Sequence, residues 1–170
     1  MKSLINKQTL SKYFQIGQGV SEKDIEKYIQ EAQELDLKPL LCEDFYFELI
    51  SKSTEEKYKK IIEGGEFDHN GQVRFFSGIE KVIAYFTYAR MILKSNIVST
   101  THGFVTKKTD FSSEADFAQR KNYYYSNRKD ANTFLEDVKK YIELNISDFP
   151  SWNCHSKCNT VKSYKSSVIK

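Results

Sequence analysis

The chain has 170 residues, 39% of them hydrophobic and 14% aromatic, so it is long enough for one domain with a buried core and has rings to spare for sticky surface. Its 2 Pro and 7 Gly permit long ordered segments and disfavour a turn-rich all-β sandwich, while a formal net charge of +3 is too small for a bulk nucleic-acid binder. No apolar run approaches the roughly 20 residues that span a bilayer, no signal-peptide layout opens the chain, and Cys42, Cys154 and Cys158 are too few for a secreted disulfide scaffold. The expectation is a soluble protein made in the cytoplasm, with reduced thiols.

Residues 1–20 read as an arm with at most a brief helix over Leu4, Ile5, Leu10, Tyr13, Phe14 and Ile16, closed by Gly17 and Gly19. Ser21 and Asp24 resemble a capping arrangement, and Ile25, Tyr28, Ile29, Ala32 and Leu35 recur at helical spacing, which predicts a helix from Ser21 to about Asp36. Pro39 suits a first turn, so a second helix is expected from Pro39 to about Ser51, with Leu41, Phe45 and Leu49 as its stripe. A third, highly charged helix starts at Ser53 and stops at Gly64 and Gly65. From Gly65 to Gly78 the period falls to two around an Asn70-Gly71 pair, the signature of a hairpin or extended loop.

Ile79 to about Asn96 carries Ile79, Val82, Ile83, Phe86, Ala89, Ile92 and Leu93 and reads as a nearly buried core helix. Ile97 to Phe111, with Thr, Ser, β-branched residues and a central Gly103, reads as a second extended excursion. Ser113 or a neighbour then caps a long helix to about Asn145, with Phe117, Tyr124, Ala131, Leu135, Val138 and Ile142 along one face. Residues 148–170 have no helical period, and Lys157, Lys162, Lys165 and Lys170 give the last twenty residues +4, leaving −1 for the rest. The expected fold is mainly α: a small helical bundle over 21–147 with one long C-terminal helix, two extended loops or a β-hairpin, and an extended tail over 148–170 that orders against a partner.

Residue constellations that carry catalysis are scarce. The histidines His69, His102 and His155 fall in three different irregular segments, and neither a phosphate-cradling Gly-rich loop nor a His-Glu-x-x-His helix is present. Cys154, His155 and Cys158 have the softness zinc prefers, but a closed site wants four ligands and Cys42 is distant in sequence. Asp137 and Lys139 have the residue types of a metal-dependent nuclease, yet lie mid-helix beside a packing stripe, where charge is ordinarily a solvated face. Tyr123, Tyr124 and Tyr125, with Arg120, Lys121, Arg128 and Lys129, could stack bases; the plainer reading is a helix wedged between neighbours, since successive rings point about 100° apart. No catalytic residue, metal or cofactor is expected.

Taken together, Leu4-Ile5, the run EAQELDLKPLL within Ser21 to Leu41, GIEKVIAYFTYARMI and THGFVTKK resemble the head-to-tail connector, or adaptor, proteins of tailed bacteriophages, and specifically the small helical neck proteins of crAss-like phages that infect Bacteroidetes. The resemblance spans roughly residues 4 to 145. It implies a structural virion protein of the phage neck, made in the host cytoplasm, with about twelve copies stacked as a ring beneath the portal. It implies further that DNA passes through the channel without specific binding, and that the partners are the portal and an adjacent neck or tail protein. By position, the channel-loop candidates are Phe67, His69, Asn70, Arg74, His102, Lys107 and Lys108. The docking candidates are Trp152, Lys157, Val161, Lys162, Tyr164, Lys165, Val168 and Lys170, whose alternation would let the tail add a strand to a partner's sheet. The alternative is a small nucleic-acid-binding protein that uses the Tyr/Arg cluster and the basic tail.

Overall fold

The computed structural model describes residues 2–17, 20–94, 97–100, 103–106 and 116–154. At its centre lies the helix Ile79–Lys94, along which Ile79, Val82, Ile83, Ala84, Phe86, Thr87 and Ala89 are all buried. A helix buried on so many sides must be surrounded. Four helices pack against it: α1 (Lys7–Tyr13), α2 (Glu22–Ala32), α4 (Glu56–Glu63) and the long Phe117–Leu144 helix. With α3 (Glu43–Ser51), the central helix becomes α5 and the long one α6. Mainly helical architecture is therefore as expected from the periodicity, and no helix among the described residues is long and apolar enough to cross a membrane.

Local chemistry sets the boundaries. Ser21 Oγ accepts from Asp24 N at 3.1 Å and caps α2 as expected. That helix runs on through a single π turn, Gln33–Leu37, and a 3₁₀ turn, Lys38–Leu40, instead of stopping at Asp36. The helix expected from Pro39 starts only at Glu43, because Leu41 and Cys42 are extended and break the ladder. The third begins at Glu56, not Ser53. Asp116 and Gln119 form a reciprocal capping box at the start of α6, while Ser113 lies outside the described residues.

Strands β1 (Gly64–His69) and β2 (Gln72–Ser77) form the antiparallel hairpin, with Asn70 at φ 56° and Gly71 at φ 74° in the turn. Those positive angles are what a two-residue turn of this hand requires. The hairpin leaves and rejoins the bundle at one point. Gly64 takes φ 87°, and a Cβ on Gly78 would lie 2.1 Å from the Ile62 carbonyl oxygen and 2.3 Å from Gly64 N, so only glycine lets the two strand roots touch. A second antiparallel pair, β3 (Ile97–Thr100) and β4 (Gly103–Thr106), corresponds to the second excursion.

Both ends of the described core lie beyond the expected 21–147 domain. Ile5 and Leu10 are buried in it, Phe14 stacks on Tyr88 at 4.0 Å, and Tyr13 donates to Glu80 at 2.7 Å. At the other end the chain turns through two 3₁₀ segments, Ile146–Asp148 and Pro150–Cys154, which insert Phe149 and Trp152 against α3. Trp152, expected on the partner-docking tail, is 2% exposed and meets Phe45 edge-on at 5.0 Å. Its assignment is corrected here: an indole this large, enclosed by its own chain, is not free to dock elsewhere.

Candidate functional site

Three arrangements stand out, and the deepest is an ion-pair network at the junction of α2, α5 and α6. The π turn after α2 swings Asp36 inward, where its carboxylate, 3% exposed, accepts from Arg90 Nε at 2.5 Å and from Arg128 Nη1. Glu31 extends the network to Lys94 at 2.5 Å and Arg90 at 3.3 Å. Burial works against the Arg90 charge, but the Asp36 carboxylate outweighs it and raises the Arg90 pKa above its ordinary value. Arg128 also covers the Phe86 and Tyr124 rings, with its guanidinium carbon 5.3 Å and 5.2 Å from their centroids. A carboxylate held by two guanidiniums, one on each facing helix, is a clamp and offers no free nucleophile.

A second polar cluster anchors the C-terminal turns. Glu48 accepts from Lys52 at 2.6 Å and from Ser151, and Lys57 donates to the Asp148 carbonyl at 2.8 Å. Burial alone would raise the Glu48 pKa, but hydrogen bonds from Lys52 and Ser151 prevail and hold it at about 2 against an ordinary 4.5. The adjacent Tyr58 hydroxyl is pushed upward first by burial and then by its interaction with the Glu48 carboxylate. A depressed carboxylate pKa contributes stability that is complete above 4.5 and fades as pH falls towards about 2. Acid titration of the fold should therefore show a loss over that window, and Glu48→Gln should flatten it; an unchanged acid limb in the variant would refute the linkage.

The third arrangement is the surface made by the hairpin and α6. An open cleft of about 300 Å³ is lined by Phe67, His69 and Arg74 from the hairpin and by Asp137, Lys140 and Glu143 from α6, together with Phe75 and Leu144. Of the channel-loop candidates, Phe67 is a packing residue, 5.8 Å from Phe76 and 5.5 Å from Tyr141. Asn70 forms the turn, His69 is half-buried and Arg74 is exposed. His102, Lys107 and Lys108 lie outside the described residues, as do His155, Lys157, Cys158, Val161, Lys162, Tyr164, Lys165, Val168 and Lys170. Asp137, exposed to solvent along part of its side chain, pairs with Lys140 at 3.2 Å, whereas Lys139, expected on the same solvated face, has a side chain only 16% exposed and pairs with Glu136 at 2.9 Å. No group of three or more potential metal-ligating side chains occurs among the described residues.

Residues 37–162 match a family of unknown function, DUF6712. The chain belongs to that family. For this DUF6712 member, no curated protein and no solved structure matches. The molecule presents exposed apolar surface on rigid elements. Val73 and Phe75 are each 70% exposed on β2, and Phe117, Tyr123 and Tyr125 are 57–61% exposed on α6. Such residues are not remarkable singly, but grouped on ordered elements they mark contact surface. The sequence reading used Val73 and Phe75 only as strand markers; the signal it passed over is that β2 is apolar on both faces, with Phe76 turned inward and Val73 and Phe75 outward.

Proposed function

We propose that this DUF6712 chain is a non-catalytic structural subunit of a tailed-phage neck, a head-to-tail connector that assembles as a ring under the portal and lines part of the DNA channel. The observation that supports this reading most is the pair of ordered, uncovered aromatic surfaces on the hairpin and on the first half of α6. Such surfaces suit a ring subunit, which covers one side face with its neighbour's other side face. The sequence resemblance supplies the neck and the portal; the surfaces supply the reason to assemble.

The nucleic-acid reading loses a cation to the fold, because Arg128 of its Tyr/Arg cluster is engaged by Asp36. The connector reading is tested by the particle mass of the purified chain, alone and mixed with the portal protein of the same phage. The expected result is a discrete ring near ~240 kDa, that is about twelve copies of a 19.9 kDa chain, either spontaneously or upon meeting the portal. A monomer that persists in the presence of portal would sink it.

A further inference from the structure

We infer that the contact between neighbouring subunits joins the outer face of the β1/β2 hairpin of one copy to the N-terminal half of α6 of the next; this rests on the assembly reading above and specifies its geometry. On the hairpin, strand alternation and register put Glu66 opposite Phe75 and Asp68 opposite Val73 on the face opposite the one that carries Phe67 and Phe76. Both carboxylates are exposed, and both apolar side chains stand 70% exposed beside them. This face is apolar and acidic.

The α6 surface is its complement. Residues 117–129 contain no acidic side chain, and a step of four along the helix puts Phe117, Lys121, Tyr125 and Lys129, all exposed, on one face about 120° wide. Arg128 is engaged by Asp36, but among the described residues the exposed Lys121 and Lys129 form no ion pair, and neither do Glu66 and Asp68. Uncommitted charges of opposite sign therefore flank two uncovered apolar clusters. Complementary potentials of this kind fix register and exclude wrong pairings.

The two faces cannot meet within one chain. The hairpin packs on α6 at Tyr141, whereas the aromatic cluster is centred near residue 121, and at 1.5 Å per residue the two are roughly 30 Å apart along a continuous helix. Any pairing is consequently between copies. Because the two partners are different surfaces, the contact is head-to-tail and propagates around a ring, and it does not terminate at a two-fold dimer.

Two variants test this, each damaging one face: Val73→Asp/Phe75→Asp on the hairpin and Phe117→Asp/Tyr125→Asp on α6, both checked for native helix content. Sedimentation of each alone, at concentrations on the order of 100 µM where the wild type assembles, should show monomer. An equimolar mixture should give only a one-to-one dimer, since that pair retains one intact hairpin and one intact helix face. If either variant fails to fold, charge reversal serves instead. Glu66→Lys/Asp68→Asn, which keeps the acceptor used by Gly71 N at 3.1 Å, and Lys121→Glu/Lys129→Glu should each weaken association about tenfold, and mixing them should restore it.

Variants that assemble like the wild type, or a mixture that stays monomeric, would overturn the pairing while leaving a ring built through other faces intact. A wild type that is monomeric alone and assembles only on portal also overturns it, without touching the connector reading. Salt-sensitive binding of a short DNA duplex, lost in the α6 variant while the wild type stays monomeric, would assign that face to nucleic acid instead.

Discussion

Trp152→Ala should lower the stability of the chain by about 3–5 kcal/mol, the cost of deleting a fully enclosed indole and leaving a cavity. The ring is 2% exposed, stands edge-on to Phe45, and is followed into the core by the contact of its own carbonyl with Cys42 Sγ at 3.8 Å. For a chain of this size the loss corresponds to a fall in Tm of roughly 6–20 °C. Trp152→Phe should recover part of it, because a smaller ring can still meet Phe45. Thermal unfolding of the two variants decides the point. If Trp152→Ala melted within a degree of the wild type, the indole would have to be returned to the tail as a docking residue and the core boundary moved back to Phe149.

Helices α2, α5 and α6 and the Asn70-Gly71 hairpin are legible because their signals are local: an apolar period of 3.6, or of two around a turn pair. The segment after Asn145 offers Ile146, Phe149 and Trp152, three residues apart, amid Ser, Pro and Asn. That spacing suits 3₁₀ turns and fits neither template, so the stretch reads as tail. The apolar stripe of α6 misleads in the opposite direction. Ala131, Leu135, Val138 and Ile142 are buried, whereas Phe117 on the same stripe is 58% exposed. The reason is length: α5 has 16 residues and α6 has 28, so the longer helix outruns its partner by roughly 18 Å. Periodicity shows which face is apolar. It does not show how far the covering element extends.

The least legible feature is the ion-pair network, since Asp36 lies 54 and 92 residues from its two arginines. Its worth follows from what remains when one member is removed. Asp36→Ala would leave Arg90, 12% exposed, with Glu31 alone at 3.3 Å, and Arg128, 29% exposed, without a carboxylate among the described residues. Breaking a buried pair in this way typically costs about 3–5 kcal/mol, and the partial hydration open to Arg128 places the expectation at the lower end, about 3 kcal/mol. That is a fall in Tm of roughly 6–12 °C.

Replacing all three residues by apolar ones of similar size, Asp36→Leu with Arg90→Met and Arg128→Met, should recover most of the loss, because the desolvation of three charges disappears together with their attraction. The two outcomes separate a clamp that stabilises from one that specifies. Arg128 sits where α6 leaves the bundle, so the network fixes the direction in which the Phe117–Tyr125 surface points. A triple variant with native Tm but weakened association would show that the three charges serve to aim that surface. Full recovery of both would reduce them to one packing solution among several, and an Asp36→Ala variant as stable as the wild type would mean that the carboxylate is not the clamp at all.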